Sequence, residues 1–280
     1  MCGGGKGGGG GDRFDVPVSI DPRSPPRSPL CSHSFRHFML DLAQILPHSK
    51  KDAKLDTKSE RAAINEVADE RCCSSVLFFE ARKRGADSYL WLARPPDGPS
   101  VKFLVTGVHT MAELKLTGNH MRGSRPVLSF HAAFDGAPHW RLIKEMLMRA
   151  FAVPRRHPKS KPFVDHVVSF SIADGRVWVR NYQVVPPADR KSVKGAAGVT
   201  LAEVGPRATL QPIKVFAGSF GGRVLYDNDA FVSPGAVRSA LKKRAAGGYA
   251  ARVAAQSRRR AHVAAHPAVR GELADVFREA

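Results

Sequence analysis

Lys115, Arg122 and Arg125 stand on one short segment that is interrupted by Gly118, Asn119, Gly123 and Ser124. Three cations beside backbone N–H groups that glycine leaves accessible suit the oxygens of phosphate. A solvated surface turn is the other reading of the same residues, because runs of charge are ordinarily solvated. A second cationic segment, PRRHPKSKP, carries Arg155, Arg156, His157, Lys159 and Lys161. Pro154, Pro158 and Pro162 are expected to hold it extended, so that its cations follow a line of phosphates. Further along, Arg180 lies between Trp178 and Tyr182, a mixture of charge and aromatic rings that suits RNA stacking. Core packing is the alternative for both rings, and Val177 and Val179 flank the tryptophan. The last cationic set is Arg238, Lys242, Lys243, Arg244, Arg252 and Arg258 to Arg260. It reads as a polyanion-binding arm, a nuclear import signal or a solvated helix face.

Catalytic arrangements are weaker. Gly5-Lys6 is followed by neither Ser nor Thr and has no strand before it, so it is not a phosphate-binding loop of the nucleotide-hydrolase kind. His33 and His37 have i, i+4 spacing without the glutamate of a zinc-protease helix. GSFGG at 218–222 lacks the residue order of a nucleophile elbow. Asp165-His166 is half of an acid–base pair with no nucleophile near it in sequence. The chain is therefore expected to be no enzyme and to need no cofactor and no metal.

Charge gives the partner class. Over 280 residues, 44 Lys and Arg against 25 Asp and Glu leave a formal charge of +19, whereas the 43% hydrophobic content is ordinary for a globular chain. Such a surplus fits a polyanion, either nucleic acid or an anionic membrane. No stretch approaches the roughly 18 uninterrupted apolar residues of a membrane helix, and MCGGGKGGGGGDRF has no apolar signal core. No membrane role and no secretion are expected. Cys2, Cys31, Cys72 and Cys73 form no ligand pair and no disulfide framework, which predicts a reducing compartment.

These residues need elements to hold them. Residues 1–32, Gly-rich and then Pro/Ser/Arg-rich, are expected to be disordered. Phe14, Val16, Val18 and Ile20 alternate like a strand, but Pro17 limits it to an edge strand at best. Ser34 to Leu46 reads as a helix with Phe35, Phe38, Met39, Leu42 and Leu46 on one face and Pro47 after it. Charged residues run from His48 to Arg61, and a short helix is expected at Ile64 to Ala68. Strands are expected at Val76 to Glu80, Tyr89 to Leu92, Lys102 to Val105 and Pro126 to Phe130. Between the last two, His109 to Leu116 reads as a turn or two of helix, with Thr110 and Glu113 at capping-box spacing. Trp140 to Phe151 is the clearest helix. Phe163 to Ile172 and Arg176 to Val184 read as a hairpin closed by Asp174-Gly175. Residues 186–198 are a loop, a strand pair is expected around Leu201 to Val215, and the chain from Ser233 is helix-prone. Periodicity leaves two organisations open, a pair of similar α/β halves meeting near residue 118 or one continuous α+β domain.

Four segments in order resemble the Brix-domain family of ribosome-assembly factors. They are FMLDLAQILPHSK (38–50), FLVTGVHTMAELKLTGNHMRGSRPVLSF (103–130), HPKSKPFVDHVVSF (157–170) and LAEVGPRATLQPIKVFAGSFGG (201–222). The last is similar to the family's Glu-x-Gly-Pro-Arg signature, here Glu203, Gly205, Pro206 and Arg207. The resemblance implies a Brix domain over residues 33–232 with halves of about 33–117 and 118–232, akin to anticodon-binding domains of some tRNA synthetases. It is preceded by the disordered segment 1–32 and followed by the basic tail 233–280. It further implies a nucleolar, non-enzymatic protein that binds pre-rRNA within a precursor of the large ribosomal subunit and pairs with the EBNA-binding-protein homologue.

Three departures qualify the match. The family's first apolar strand has no counterpart in PRSPPRSPLCSHS. Either Val16 to Ile20 substitutes, or the N-terminus stems from a wrong gene model or a divergent splice. Pro17 favours the latter, in which case helix 34–46 would expose apolar surface. Ala208 and Pro212 replace larger apolar residues in the signature strand, which predicts weaker or bulged pairing. The chain stops at Ala280, where the family usually continues into a long basic tail.

The resulting expectation is an RNA-binding assembly factor that meets phosphates through Lys115, Arg122, Arg125, Arg155, Arg156, Lys159, Lys161 and Arg207. For Arg207 the alternative is a tie to nearby backbone carbonyls. A scaffold whose basic surface meets an acidic protein rather than RNA is the rival reading.

Overall fold

The computed structural model describes residues 16–20, 29–51, 62–82, 86–186 and 199–267. Most of residues 1–32, most of the loop 186–198 and the end of the tail lie outside the described residues, as do Gly5-Lys6 and Cys2. Residues up to Asp229 form one unit, and Ala230–Ala280 another.

The first unit contains two related halves that share a strand–helix–strand–strand–strand core, each with its own additions. The first half runs β1 (Val16–Ile20), α1 (Pro29–Ile45), β2 (Ser49–Lys51), α2 (Ala62–Glu70), β3 (Val76–Arg82), β4 (Asp87–Ala93) and β5 (Ser100–His109). After α3 (Met111–Leu114), the second runs β6 (Pro126–Phe130), a 3-10 turn (Ala132–Asp135), α4 (Pro138–Phe151), β7 (His166–Ala173), β8 (Arg176–Val185), β9 (Thr200–Glu203) and β10 (Arg207–Gly218). β11 (Gly221–Asp227) then folds back on β10. The strand order is β2-β1-β3-β4-β5-β10-β8-β7-β6, with β9 on β8 and β11 on β10. β1 is parallel to β3 as β6 is to β7, and both sets then turn antiparallel. The two halves join where β5 and β10 pair antiparallel from Arg207↔His109 to Phe216↔Ser100. Periodicity had left this organisation open; the pairing decides it in favour of two related α/β halves.

The strand expected to be missing is present. Val16–Ile20 lies inside the sheet, between β2 and β3, and is not an edge. Pro17 pairs with Lys50 in the ladder to β2, whereas the register with β3 begins at Val18, so its missing N–H falls outside the β3 pairs. The apolar residues expected on the face of helix α1 are correspondingly not exposed: Phe35, Phe38, Met39, Leu42 and Leu46 are all buried. The expected strand pair near Leu201 to Val215 also differs. β9 pairs with β8, and β10 with β5, β8 and β11. The ladder between β10 and β5 shifts register at Ala208 and again after Pro212, the bulging that those two residues predict.

Amphipathic spacing explains the layers. On α4, Ile143, Met146, Leu147, Ala150 and Phe151 recur at helical period and are buried. They and the α1 residues cover one face of the sheet, against Leu77, Phe79, Leu90, Leu92, Phe103, Val168, Phe170 and Val179. On the opposite face, Ile64 and Ala68 of α2 cover only the first half, with Val76, Phe78, Trp91, Ala93 and Phe220. β4 is therefore buried throughout, whereas β7 and β8 alternate between buried and accessible residues. The turn between β7 and β8 has Asp174 and Gly175 both at positive φ, 52° and 66°, as a two-residue hairpin requires.

The second unit is described through α5 (Pro234–Ala265), capped by the Ser233 hydroxyl, which accepts from the Ala236 N–H at 3.2 Å. Among the described residues, no helix is long and apolar enough to cross a membrane.

Candidate nucleic-acid interface

The loop from α3 to β6 is tied down along its length. Thr110 accepts from the Glu113 N–H at 3.2 Å, and Glu113 accepts from the Thr110 N–H at 3.4 Å, which completes the expected capping box. Asp41 of α1 accepts the Met111 N–H at 2.8 Å, although burial raises its pKa. Lys115 ends the helix in the left-handed region, at φ 45°. Gly118 then passes so close to β9 that a Cβ would stand 2.6 Å from the Glu203 carbonyl oxygen. Gln183 accepts the Asn119 N–H at 2.7 Å, and Asp165 accepts the Met121 N–H at 2.6 Å.

Past these ties the two basic segments meet. The Lys161 N–H donates to Gly123 at 2.7 Å and the Arg125 N–H to Phe163 at 2.9 Å. This short ladder places Arg122 beside Lys159 and Lys161 around an open groove of about 660 Å³. Its other wall is Leu40, Ala43, Gln44 and Pro47, at the C-terminal end of α1. The 154–162 segment is not extended. Its peptides close into turns, His157 N–H to Pro154 at 3.4 Å and Ser160 N–H to His157 at 3.0 Å, and Arg156 takes φ 62°. The prolines fix φ only at their own positions, so they do not prevent the residues between them from turning. Arg155 and Arg156 sit on that turn and Lys115 at the far end of the loop, outside the groove lining.

The eight cations fall into two groups. Lys115, Arg122, Arg155, Arg156, Lys159 and Lys161 are exposed and make no side-chain hydrogen bond or ion pair to other described residues. Arg125 is half-buried, and its Nη2 donates to the Pro154 carbonyl and the Ser160 hydroxyl, both at 3.3 Å. Arg207 forks onto Glu203, with Nε to Oε1 at 2.5 Å and Nη2 to Oε2 at 2.6 Å. That guanidinium holds the Glu203 carboxyl below the usual carboxylate range. The tie expected of Arg207 thus goes to a carboxylate rather than to backbone carbonyls.

Under the loop lies a buried polar knot. Ser124, His166 and Asn181 are almost without solvent contact. Ser124 Oγ and Asp165 Oδ1 both lie 3.0 Å from Nδ1 of His166, while the Ser124 hydroxyl donates to the Met121 carbonyl at 2.7 Å. A serine–histidine–acid relay needs the serine on Nε2 and the acid on Nδ1. Here both crowd one nitrogen and Nε2 has no hydrogen-bond partner, so no nucleophile is activated. Burial pushes the His166 pKa down, against the raising effect of Asp165. His120, Asp165 and His166 offer ligand atoms within 4.8 Å of one another. The two imidazoles, however, stack at 4.2 Å and 14°. Nearly parallel rings aim their in-plane lone pairs alongside each other rather than at one point, which suits a clamp better than a metal.

One contributor escapes the sequence reading. The α1 wall of the groove carries no charge and gives no local signal of a site. For Trp178, which the sequence leaves open between stacking and core, the structure gives 36% exposure, with the Arg180 guanidinium 5.9 Å from its ring centroid.

Comparison with known proteins gives a consistent family. The Brix domain model matches residues 28–214. Ribosome biogenesis protein BRX1 homolog 1 of Arabidopsis thaliana is 49% identical over 250 residues, covering 88% of this chain and 79% of that protein. Ribosome biogenesis protein BRX1 of Saccharomyces cerevisiae is 48% identical over 217 residues, covering 77% and 74%. The Homo sapiens BRX1 homolog is 48% identical over 214 residues, covering 76% of this chain and 58% of its own length. A crystal structure of a probable ribosomal biogenesis protein from Aeropyrum pernix K1 aligns at 16% identity and TM-score 0.46, over 71% of this chain and 96% of that one.

Proposed function

Because the chain belongs to the Brix-domain family, we propose that it is a ribosome biogenesis factor of the nucleolus that binds pre-rRNA without catalysing a reaction on it. The particle it joins is a precursor of the large ribosomal subunit, with the EBNA-binding-protein homologue as its protein partner. One observation carries the RNA reading: Arg122, Lys159 and Lys161, from segments far apart in sequence, are brought to one open groove with their side chains otherwise unbonded among the described residues.

Phosphate contact is assigned to Lys115, Arg122, Arg155, Arg156, Lys159 and Lys161. Arg125 and Arg207 belong to the frame that holds these cations in place. An exposed cation with no internal partner gains from neutralising a phosphate, because the counterions that it displaces from the RNA enter bulk solution. An arginine already forked on a carboxylate would first have to give up that pair.

Salt titration of binding to structured pre-rRNA fragments tests the reading. Six neutralised phosphates give a slope of log K against log salt of about −4 to −5. A slope near zero overturns it. Partners that survive ribonuclease digestion in a pull-down, combined with that zero slope, would favour an acidic protein as the occupant instead.

A further inference from the structure

The half-covered sheet leaves one surface with a composition of its own. In the first half, the face opposite α1 pairs Phe78 with Trp91 and Glu80 with Tyr89, and α2 and Phe220 help to bury it. On the same face of the second half, the segment between α4 and β7 forms turns instead of a helix, and nothing equivalent to α2 stands there among the described residues. Register places three cross-strand rows on the uncovered face. They are Val127–Val167–Tyr182–Glu203, Ser129–Ser169–Arg180, and Ser171–Trp178–Thr209.

The rows put Tyr182, Arg180 and Trp178 on alternate residues of one strand. At a rise of about 3.4 Å per residue, neighbours in this file lie roughly 7 Å apart and the outer rings roughly 14 Å apart. On β7 beside them stand Ser169 and Ser171, short side chains that leave a shallow depression of about 350 Å³ bounded by Trp178, Arg180 and Tyr182. Planar groups with small neighbours admit a flat ligand against the sheet. Glu203 is the acidic member of the rows, and Arg207 holds it in a fork. Arg180 adds a weaker attraction to the same carboxylate, which Arg207 already holds, and makes no ion pair of its own among the described residues.

We infer that the outer face of β7 and β8 is a stacking platform for unpaired RNA bases, with Trp178 and Tyr182 each taking the face of a base and Arg180 serving the phosphate or base between them. The inference rests on the RNA-binding reading and deepens it. The groove cations meet backbone phosphates whatever the strandedness, whereas the platform selects single-stranded segments, because bases in a duplex keep their faces stacked on one another. Aromatic stacking tolerates any base, so the platform discriminates by exposure of the base rather than by its identity.

The test uses the full chain and a labelled single-stranded oligo(A), with a blunt-ended, two-strand RNA duplex as comparison, at one fixed salt concentration. Trp178→Ala and Tyr182→Ala are each expected to weaken oligo(A) binding about ten-fold, to leave duplex binding unchanged, and to leave the salt slope for oligo(A) unaltered. Trp178→Phe, which keeps a ring, is expected to retain most of the affinity. Because Trp178 lies on an exposed face, the alanine variant should keep the wild-type melting temperature, which separates lost stacking from lost fold. Oligo(A) affinity of both alanine variants within about two-fold of wild type would overturn the platform, a stacking contact being worth more than that. If the wild-type salt slope stays steep in that case, the phosphate-binding reading stands and the platform alone falls. A wild-type chain that binds neither RNA overturns both.

Discussion

The side-chain amide of Asn181 donates to the carbonyl of Gly205 at 3.0 Å, while the backbone carbonyl of the same asparagine accepts the Val204 N–H at 3.0 Å. One buried residue of β8 thus grips the Glu203–Arg207 signature from both its side chain and its backbone. Gly205 is pressed against α3 in turn, where a Cβ would stand 2.9 Å from Leu114. The signature segment is in this way the seat on which the basic loop rests.

Removing that grip should cost stability rather than RNA contact. Asn181→Ala leaves the Gly205 carbonyl without this donor in a dry site, a loss of about 1–3 kcal/mol. The measurement is the urea midpoint, with the m-value expected to stay constant. An unchanged midpoint would show that the seat does not depend on this amide.

Gly118 is required by crowding. A Cβ there meets the Glu203 carbonyl oxygen at 2.6 Å and Val204 Cγ2 at 2.9 Å. Gly118→Ala is expected to destabilise by about 1–3 kcal/mol through forced displacement of β9. Gly175→Ala, where nothing lies within 4 Å but φ is +66°, should cost about 1 kcal/mol from backbone strain alone. Thermal denaturation of the two variants ranks the effects.

Stability should fall on mild acidification through His166. Burial holds its folded pKa below the unfolded value of about 6.5, so the unfolded chain takes up a proton that the folded chain resists. The contribution is full above about pH 6.5 and declines as pH drops from there through the folded pKa. Replacing His166 with Gln should flatten the pH dependence of the unfolding free energy in that window. A wild-type curve with no fall below this pH would contradict the assignment.

Glu80 should act at lower pH. Burial raises its pKa, but the Trp91 indole N–H at 2.9 Å, Lys102 at 3.8 Å and Arg82 at 2.6 Å together outweigh burial and leave the group below the ordinary glutamate value. Its stabilisation is therefore present above the unfolded pKa and is lost as pH falls through the folded one. Glu80→Gln is expected to lose about 1–2 kcal/mol at neutral pH, and the gap to wild type should close in acid. Urea titrations at several pH values measure it.

The two groups of cations should separate in one experiment. Combining Arg122→Gln, Lys159→Gln and Lys161→Gln should flatten the salt slope of RNA binding by about 2 to 3 with little change in melting temperature. Arg125→Gln should do the reverse, because its guanidinium holds Pro154 and Ser160. A lowered slope with unchanged stability for Arg125→Gln would place it among the phosphate contacts.

Much of this molecule is written locally. The period of Phe35, Phe38, Met39 and Leu42, the spacing of Thr110 and Glu113 and the Asp174-Gly175 pair each specify an element through residues within a turn or two of one another. The structure has those elements where the spacing predicts them. The surplus of cations is likewise a property of composition, and by itself it points to a polyanion.

What the fold alone decided is which residues meet. Arg125 is occupied by Ser160, 35 residues away, and Met111 is held by Asp41, 70 residues away. No periodicity encodes such pairs, because they depend on how β5 and β10 join the halves. Val16–Ile20 found its place inside the sheet because the β3 register starts beyond Pro17, which a local propensity cannot anticipate. Trp178 is partly exposed because no helix among the described residues covers its side of the second half. Short-range pattern sets what each segment is, whereas long-range pairing sets which of its side chains remain available to a partner.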